Sequence, residues 1–140
     1  MADVFRATRT VRFADCDPAG IVFFPQYLVM VNTLVEQWFD EALGVRYADL
    51  IGARRTGLPT VRLECDFTAI SRHGELLAQR LAVEKLGRSS LIVRHDYLGA
   101  DELRLRVRQV LVCTSLATHR PQALPDDVRA AAARFLETAA

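Results

Sequence analysis

Apolar residues recur at intervals of three and four through residues 25–43, the longest periodic segment of the chain. This spacing predicts an α-helix with one apolar face, formed by Leu28, Val31, Leu34, Val35, Trp38, Phe39 and Ala42. Because Tyr27, Val29 and Met30 widen that face, we expect a helix buried on most sides. Gly44 fits the position just past a helix end, and residues 47–51 are predicted to form a short second helix.

Alternating apolar and polar residues predict five strands, at residues 8–13, 61–68, 75–86, 91–98 and 103–113. In the first, Arg9, Val11 and Phe13 are expected on one face. In the second, opened by residues 57–59, the pattern indicates a half-buried strand with Val61, Leu63, Cys65 and Phe67 on its apolar face. In the last, Arg104, Arg106 and Arg108 alternate with Leu103, Leu105 and Val107.

The order of these elements predicts the fold class. Four consecutive strands joined by short turns favour an antiparallel sheet, and a helix too apolar for water must lie across that sheet. We therefore expect a single α+β domain over residues 1–140, closed by a C-terminal helix at about 125–139. Asp126 and Asp127 in the first turn of that helix suit its dipole.

Composition and charge exclude several classes of function. A net charge of +1 in 140 residues gives no basic field for nucleic acid and no basic patch for a membrane surface. Cys16, Cys65 and Cys113 show no CxxC spacing, which favours a reduced, cytoplasmic chain with no disulfide framework and no metal site. We expect no signal peptide and no membrane span.

Turn chemistry at residues 15–20 stands immediately before the long helix. Asp15 and Asp17 flank Cys16, followed by Pro18-Ala19-Gly20. The open amides of a first helical turn carry partial positive charge, so they can hold an oxyanion while a nearby carboxylate attacks or activates water. The alternative for Asp17 is an ordinary turn cap. We expect a structural role for Asp15 and a small buried thiol at Cys16, which has no neighbouring histidine in the sequence.

Residues 13–27, with the sequence FADCDPAGIVFFPQY, resemble the hotdog-fold acyl-CoA thioesterases, in particular the 4-hydroxybenzoyl-CoA thioesterase family. Supporting matches are GLP at 57–59 and GRSS at 87–90, and the resemblance extends to about Cys113. It implies a five-stranded sheet wrapped around the long helix. It also implies a homodimer or homotetramer with active sites between subunits.

The resemblance also implies roles for individual residues. Asp17 matches the catalytic carboxylate, a nucleophile or a general base, and the backbone N–H of Phe24 matches the group that polarises the thioester carbonyl. Coenzyme A enters as part of the substrate, with no separate cofactor. The predicted CoA-binding residues are Arg88, Ser89 and Ser90, with Arg72 and His73 of the neighbouring turn as further candidates. The predicted acyl pocket is formed by Tyr27, Val31, Leu58, Pro59 and Val61.

One departure from the family narrows the substrate, and several alternatives stay open. Many short-chain relatives carry Tyr-His where this chain has Phe23-Phe24-Pro25, so an aromatic acyl group is favoured over an aliphatic acyl-CoA or an acyl-carrier protein. Another hotdog branch uses a helical carboxylate as base, for which the candidates are Glu36, Asp40 and Glu41; the alternative for all three is plain exposure. Non-catalytic acyl-CoA binding remains a second function. A dehydratase or hydratase ranks last, because it needs a histidine paired with an acid near the helix and this motif has none. His95 is expected to be a packed residue and His119 to lie in a loop.

Overall fold

A computed structural model describes residues 2–137. Its main sheet has five antiparallel strands in the order β1-β4-β5-β6-β3. The strands are β1 (Phe5–Thr10), β2 (Thr56–Gly57), β3 (Thr60–Phe67), β4 (Leu76–Leu86), β5 (Ser90–Gly99), β6 (Glu102–Val112) and β7 (Thr114–Ser115); the α-helices are α1 (Phe24–Trp38), α2 (Tyr47–Ile51) and α3 (Asp126–Ala133). The α+β fold class expected from the sequence is confirmed.

The long helix is confirmed, with one difference at each end. α1 starts with Phe24, so Pro25 is its second residue, and the chain continues as a π-helical turn over Phe39–Leu43 before Gly44 ends it at φ 71°. That left-handed conformation is one that glycine adopts without steric penalty. The wider π-turn was not predicted, because the apolar spacing of three and four continues through it.

The core lies between α1 and the inner face of the sheet. Alternate residues of β4, β5 and β6 are buried there, as period-two strands covered on one side require. Tyr27 of α1 meets Tyr97 of β5 with ring centroids 6.4 Å apart. The buried face also includes three polar side chains, Gln79, His95 and Gln109.

The first strand was predicted three residues too late, because β1 ends at Thr10. The carboxylate of Asp15 accepts a hydrogen bond from the backbone N–H of Arg12 at 2.8 Å and draws the chain into a short 3₁₀ turn over Phe13–Asp15. Phe13 therefore does not share a face with Val11: it is 79% exposed, whereas Val11 is fully buried.

The half-buried pattern expected for the second strand is wrong for this single chain. β3 is an edge strand of the sheet, and Val61 and Phe67 are 59% and 50% exposed. Leu63 and Cys65 are only partly buried against the core. Residues 57–59 do not open this strand, because Gly57 belongs with Thr56 to the separate strand β2, which pairs with β7. β7 has only two residues, so the sequence does not distinguish it from a loop.

The C-terminal helix is shorter than predicted. α3 ends at Ala133, and after a turn at residues 134–135 the chain bridges to β4 at Leu136: Val83 donates to Phe135 O at 2.9 Å, and Glu137 donates to Val83 O at 2.7 Å. This segment carries Phe135 onto Trp38, with ring centroids 5.5 Å apart. The last part of the predicted helix, residues 138–139, lies outside the described residues. No described helix combines the length and apolar character needed to cross a membrane.

Candidate active site

A small hairpin precedes α1 and carries the acidic motif. Asp17 donates its N–H to Ile21 O at 3.0 Å, and Phe23 donates to Asp15 O at 2.9 Å, with Cys16 and Val22 bridged between them. The turn closes at Gly20, whose φ of 76° suits a residue without a side chain. This register sets Asp17 opposite Ile21. Phe24 follows Ile21 by three residues, which span about 10 Å of extended chain.

The Asp17 side chain is half-buried and has one free oxygen. Its Oδ1 accepts the N–H of Ala19 at 2.8 Å, which is an Asx turn. Within residues 2–137, Oδ2 has no hydrogen-bond partner. The turn-cap interpretation therefore describes one oxygen of the carboxylate, while the other stays available to a substrate or a water molecule.

The start of α1 offers one open donor rather than the cluster that we expected. Phe24 is the first helical residue, and its cap Phe23 supplies no side-chain hydrogen bond. The next residue, Pro25, has no N–H, and Gln26 donates to Phe23 O at 2.8 Å. The Phe24 N–H is therefore the donor that remains, since the first amides of a helix have no partner within it. A positioned backbone donor of this kind is suited to an oxyanion.

Asp15 stabilises this hairpin through its buried carboxylate. The residue is only 4% exposed, and its carboxylate accepts from the Arg9 guanidinium at 3.1 Å as well as from Arg12 N–H. Its two oxygens are both occupied, which fits the structural role expected for it. Cys16 is half-buried and not the buried thiol that we expected. Partial burial and the charges of Asp15 and Asp17 raise the pKa of its thiol, which disfavours the reactive thiolate.

An open cleft of about 560 Å³ lies beside Asp17. It is lined by Phe13, Ala14, Cys16, Asp17, Pro18, Gly20 and His73. His73 is anchored to the hairpin by its N–H, which donates to Gly20 O at 3.0 Å, and its ring lies 5.8 Å from that of Phe13. The structure thus brings Asp17 and His73 to one cleft, and it adds Phe13, which the strand prediction had placed elsewhere.

A loop over residues 68–75 fixes the hairpin and the helix start to each other. Ser71 O accepts the Val22 N–H at 2.9 Å, and Ser71 Oγ accepts the Tyr27 hydroxyl at 2.7 Å. Burial raises the pKa of Tyr27, so the hydroxyl stays protonated and donates. Ser71 was not identified from the sequence, because a serine in a turn carries no distinguishing signal.

The five residues predicted for the acyl pocket fall into two groups in this chain. Tyr27, Val31 and Leu58 are 7% exposed or less and belong to the packed core, whereas Val61 is 59% exposed and Pro59 is also exposed. Phe24 and Phe67, both at least half exposed, lie together instead, with ring centroids 6.2 Å apart. One subunit therefore does not gather the predicted five on one surface.

The predicted CoA residues lie at opposite ends of β4. Arg72 and His73 precede it, and residues 88–90 follow it. At about 3.3 Å per residue, the 11 residues of this strand separate the two groups by about 33 Å. Within one subunit, Arg88 cannot reach the cleft beside Asp17. The Arg88 carbonyl is occupied, because it accepts from Leu124 N–H at 2.9 Å and from Arg129 at 2.7 Å.

The competing carboxylates lie on the surface, and the other candidate side chains lie in the core or at its edge. Glu36, Asp40 and Glu41 are all exposed, and Asp40 accepts the Tyr47 N–H at 2.8 Å at the start of α2. His95 is fully buried. Cys113 is buried too, whereas Cys65 is only half-buried. Across residues 2–137, no group of three or more His, Cys, Asp or Glu side chains is arranged to hold a metal ion.

Comparison with known proteins places this geometry in context. A family model described as the thioesterase-like superfamily matches residues 11–132. A 1,4-dihydroxy-2-naphthoyl-CoA hydrolase from Synechococcus sp. (strain CC9605) is 32% identical over 126 residues, covering 86% of this chain and 84% of the relative. The 4-hydroxybenzoyl-CoA thioesterase of Pseudomonas sp. (strain CBS-3) is 26% identical over 118 residues, covering 75% and 84%. The crystal structure of a 1,4-dihydroxy-2-naphthoyl-CoA thioesterase from Synechocystis superposes with a TM-score of 0.85 at 26% identity, covering 94% of this chain and 96% of that one.

Proposed function

The chain belongs to the thioesterase-like superfamily, and from that premise we propose that it hydrolyses an aromatic acyl-CoA to the free acid and coenzyme A. The observation that carries the proposal is the succession of a carboxylate on the short hairpin and an open backbone donor at the start of α1, which follows it. Asp17 keeps one free oxygen beside an open cleft, and the Phe24 N–H begins α1 close by.

In the proposed reaction, the thioester carbonyl oxygen accepts the Phe24 N–H. Charge that develops on this oxygen in the transition state is stabilised by the donor and by the positive end of the helix dipole. Removal of one such donor typically lowers turnover by about 10²–10³. Because Phe24 acts through its backbone, a side-chain substitution at this position is expected to change acyl binding more than oxyanion stabilisation.

Two roles for Asp17 are compatible with this arrangement. As a nucleophile, its oxygen attacks the carbonyl carbon, coenzyme A leaves as the thiolate, and water hydrolyses the resulting mixed anhydride. As a general base, it removes a proton from a water molecule that attacks the carbonyl directly. Single-turnover hydrolysis in H₂¹⁸O distinguishes them, because only the nucleophilic route places label in the Asp17 carboxylate.

The aromatic acyl group is supported by the names of relatives and by the side chains near the helix start. The relatives act on dihydroxynaphthoyl-CoA and hydroxybenzoyl-CoA by name. In this chain Phe23, Phe24 and Phe67 are about half exposed and meet edge to face. Aromatic rings prefer such arrangements with one another, so an aroyl ring suits this surface better than a flexible aliphatic chain.

A second subunit would complete this site. We propose a homodimer or homotetramer in which the edge strand β3, with its exposed apolar Val61, is covered by another copy of the chain. An edge strand with exposed apolar side chains is a natural pairing surface. Arg88, Ser89 and Ser90 would then bind the coenzyme A of a substrate held at the Asp17 of a neighbouring subunit. The Asp17 of their own subunit is too far away, because about 33 Å of β4 lies between.

An acyl-CoA panel with matched variants tests the proposal. We expect thiol release from benzoyl- and naphthoyl-type esters to exceed that from phenylacetyl and aliphatic esters. Asp17→Asn should lower kcat by about 10²–10⁴, the range for a lost general base, with an unchanged circular dichroism spectrum and elution volume. The controls are Glu36→Gln, Asp40→Asn and Glu41→Gln, which should keep wild-type turnover. Near-normal hydrolysis by Asp17→Asn would reject Asp17, and no hydrolysis of any ester by the wild type would favour the non-catalytic binding function.

A further inference from the structure

Arg104 of β6 is a buried arginine at the Asp17 end of the sheet. Only 5% of its surface is exposed, although the alternation along β6 had placed it on the polar face with Arg106 and Arg108. Its guanidinium binds Glu75 through both oxygens, Nη1 to Oε1 at 3.0 Å and Nη2 to Oε2 at 2.9 Å. It also donates to Ile70 O at 2.8 Å and to Gly99 O at 3.1 Å.

Ile70 and Glu75 belong to the loop over residues 68–75, whereas Gly99 and Glu102, whose carboxylate lies 3.0 Å from Arg104 Nε, lie outside it. Glu75 Oε1 accepts the Arg72 N–H at 2.7 Å as well, so the carboxylate joins the guanidinium to the backbone of the loop. The backbone of Arg104 adds a further contact, accepting the Thr68 N–H at 3.0 Å. Arg104 thus contacts the loop near both of its ends, through its backbone at Thr68 and through its side chain at Ile70 and Glu75.

This loop in turn holds the two halves of the candidate site. On the hairpin side, it pairs with Val22, through Ser71 O, and with Gly20, through the His73 N–H. On the helix side, Ser71 Oγ accepts the Tyr27 hydroxyl, one turn after Phe24. The loop is therefore bonded to the segment that carries Asp17 and to the helix that begins at Phe24.

The space for the guanidinium is provided by Gly99. A Cβ on this residue would lie 2.7 Å from both Cζ and Nη2 of Arg104 and 3.1 Å from Nη1, closer than any ordinary contact. The backbone of Gly99 does not itself require glycine, since its φ lies outside the left-handed region. The absence of a side chain here is thus explained by the position of Arg104.

We infer that Arg104 is a positioning residue, which aligns Asp17 with the Phe24 N–H by holding the loop over residues 68–75. This inference rests on the proposed thioesterase function. Arg104 touches neither the cleft beside Asp17 nor the start of α1, so it acts through the loop. A displacement of about 1 Å between reacting groups can lower turnover by about 10²-fold, which gives such a residue a direct influence on kcat.

Three variants test this from different sides. Arg104→Gln removes the guanidinium, Arg104→Lys keeps the charge but loses the two-pronged geometry, and Gly99→Ala displaces an intact Arg104. The matched control is Arg106→Gln, because Arg106 also binds a carboxylate, that of Asp96, but lies exposed on the same strand. For each variant, kcat and KM are measured well below the melting temperature, together with amide hydrogen exchange of residues 20–27.

We expect Arg104→Gln to lower kcat roughly 10–100-fold, with little change in KM and faster exchange in residues 20–27. Arg104→Lys and Gly99→Ala should change both quantities in the same direction by less, and Arg106→Gln should change neither. If Arg104→Gln does not fold, Gly99→Ala and Arg104→Lys carry the test. Wild-type kcat with wild-type exchange in those two variants would overturn the inference. If the wild type hydrolyses no ester, the proposed function fails, while the exchange measurement still tests the positioning.

Discussion

Two ion pairs with the same geometry occupy opposite ends of the molecule and differ in their surroundings. At the Asp17 end, Arg104 binds Glu75 through two hydrogen bonds of 2.9 and 3.0 Å. At the other end, near the turn that carries Arg88, Arg54 binds Asp127 of α3 through two of 2.8 Å. The Arg104 side chain is 6% exposed, whereas that of Arg54 is 37% exposed.

This difference shows that bond lengths alone do not reveal what an ion pair does. A charge removed from water needs its partner, so breaking a buried pair is strongly destabilising. A pair in water exchanges its partner for solvent at little cost. The buried pair fixes a loop beside the candidate site, while the exposed pair only links α3 to the segment after α2. Breaking the buried pair should therefore lower the stability more than breaking the exposed pair, and only the former should disturb the loop beside the candidate site.

The largest loss of stability is expected from Glu75→Ala. It leaves the Arg104 guanidinium buried with only the exposed Glu102 carboxylate, 3.0 Å from Nε, as an ionic partner, so the free energy of unfolding should fall by about 3 kcal/mol. Hydrogen bonds from Arg104 to Ile70 O and Gly99 O remain, which keeps the loss at the low end of the range for such pairs. Urea unfolding at neutral pH measures it. A loss below about 1 kcal/mol would mean that this pair behaves like an exposed one.

The pH dependence of stability distinguishes the two ion pairs from a third polar group, the buried His95 of β5. Burial lowers the pKa of His95 to about 4 from 6.5, and its Nε2 binds Gln109 Oε1 at 2.9 Å. Arg104 and Arg72 N–H hold the pKa of Glu75 at about 2, and Arg54 lowers the pKa of Asp127 below its ordinary 3.8. In the folded state, neither pair therefore titrates between pH 6.5 and pH 4, and Glu75 of the unfolded chain takes up its proton only near its ordinary pKa of 4.5.

In that interval the unfolded state binds a proton at His95 that the folded state does not. Stability should therefore fall as the pH drops from 6.5 towards 4, by up to about 3 kcal/mol, and this contribution should level off below pH 4. Urea unfolding across this range measures the slope. His95→Leu should start from a lower stability, since Gln109 loses its partner, but should show a smaller slope. An equal slope in His95→Leu would assign the loss to other groups.

The sequence predicted the elements whose signals are local. Residues 25–43 formed the predicted helix because its apolar period and its terminal Gly44 are both written in adjacent residues. The strands β4, β5 and β6 agreed within one residue for the same reason. β1 was displaced because Asp15 captures the Arg12 N–H, and a side chain that competes with a strand is not visible in an alternating pattern.

The candidate site was predictable only in part, because it depends on contacts between distant residues. The acidic turn and the helix start lie together in the sequence, so their pairing was expected, although the number of open donors was overestimated. Arg104 was assigned to a polar face because alternation cannot distinguish an exposed arginine from one bound to Glu75, 29 residues away. The position of Arg88, far from Asp17 in its own subunit, required the length and direction of β4.

The smallest effect is expected from Asp127→Asn at the exposed pair. This variant loses the charge that binds Arg54 and one charge near the positive end of α3, so the free energy of unfolding should fall by about 1 kcal/mol or less. The matched control is Asp126→Asn, which removes a charge from the same helical turn but leaves the Arg54 pair intact, and the difference between the two variants isolates the pair. Urea unfolding at low and high salt measures both, and the difference should shrink in high salt because exposed charges are screened. A salt-independent loss as large as that of Glu75→Ala would show that Arg54 and Asp127 are shielded from water, and the contrast between the two ends of the molecule would then disappear.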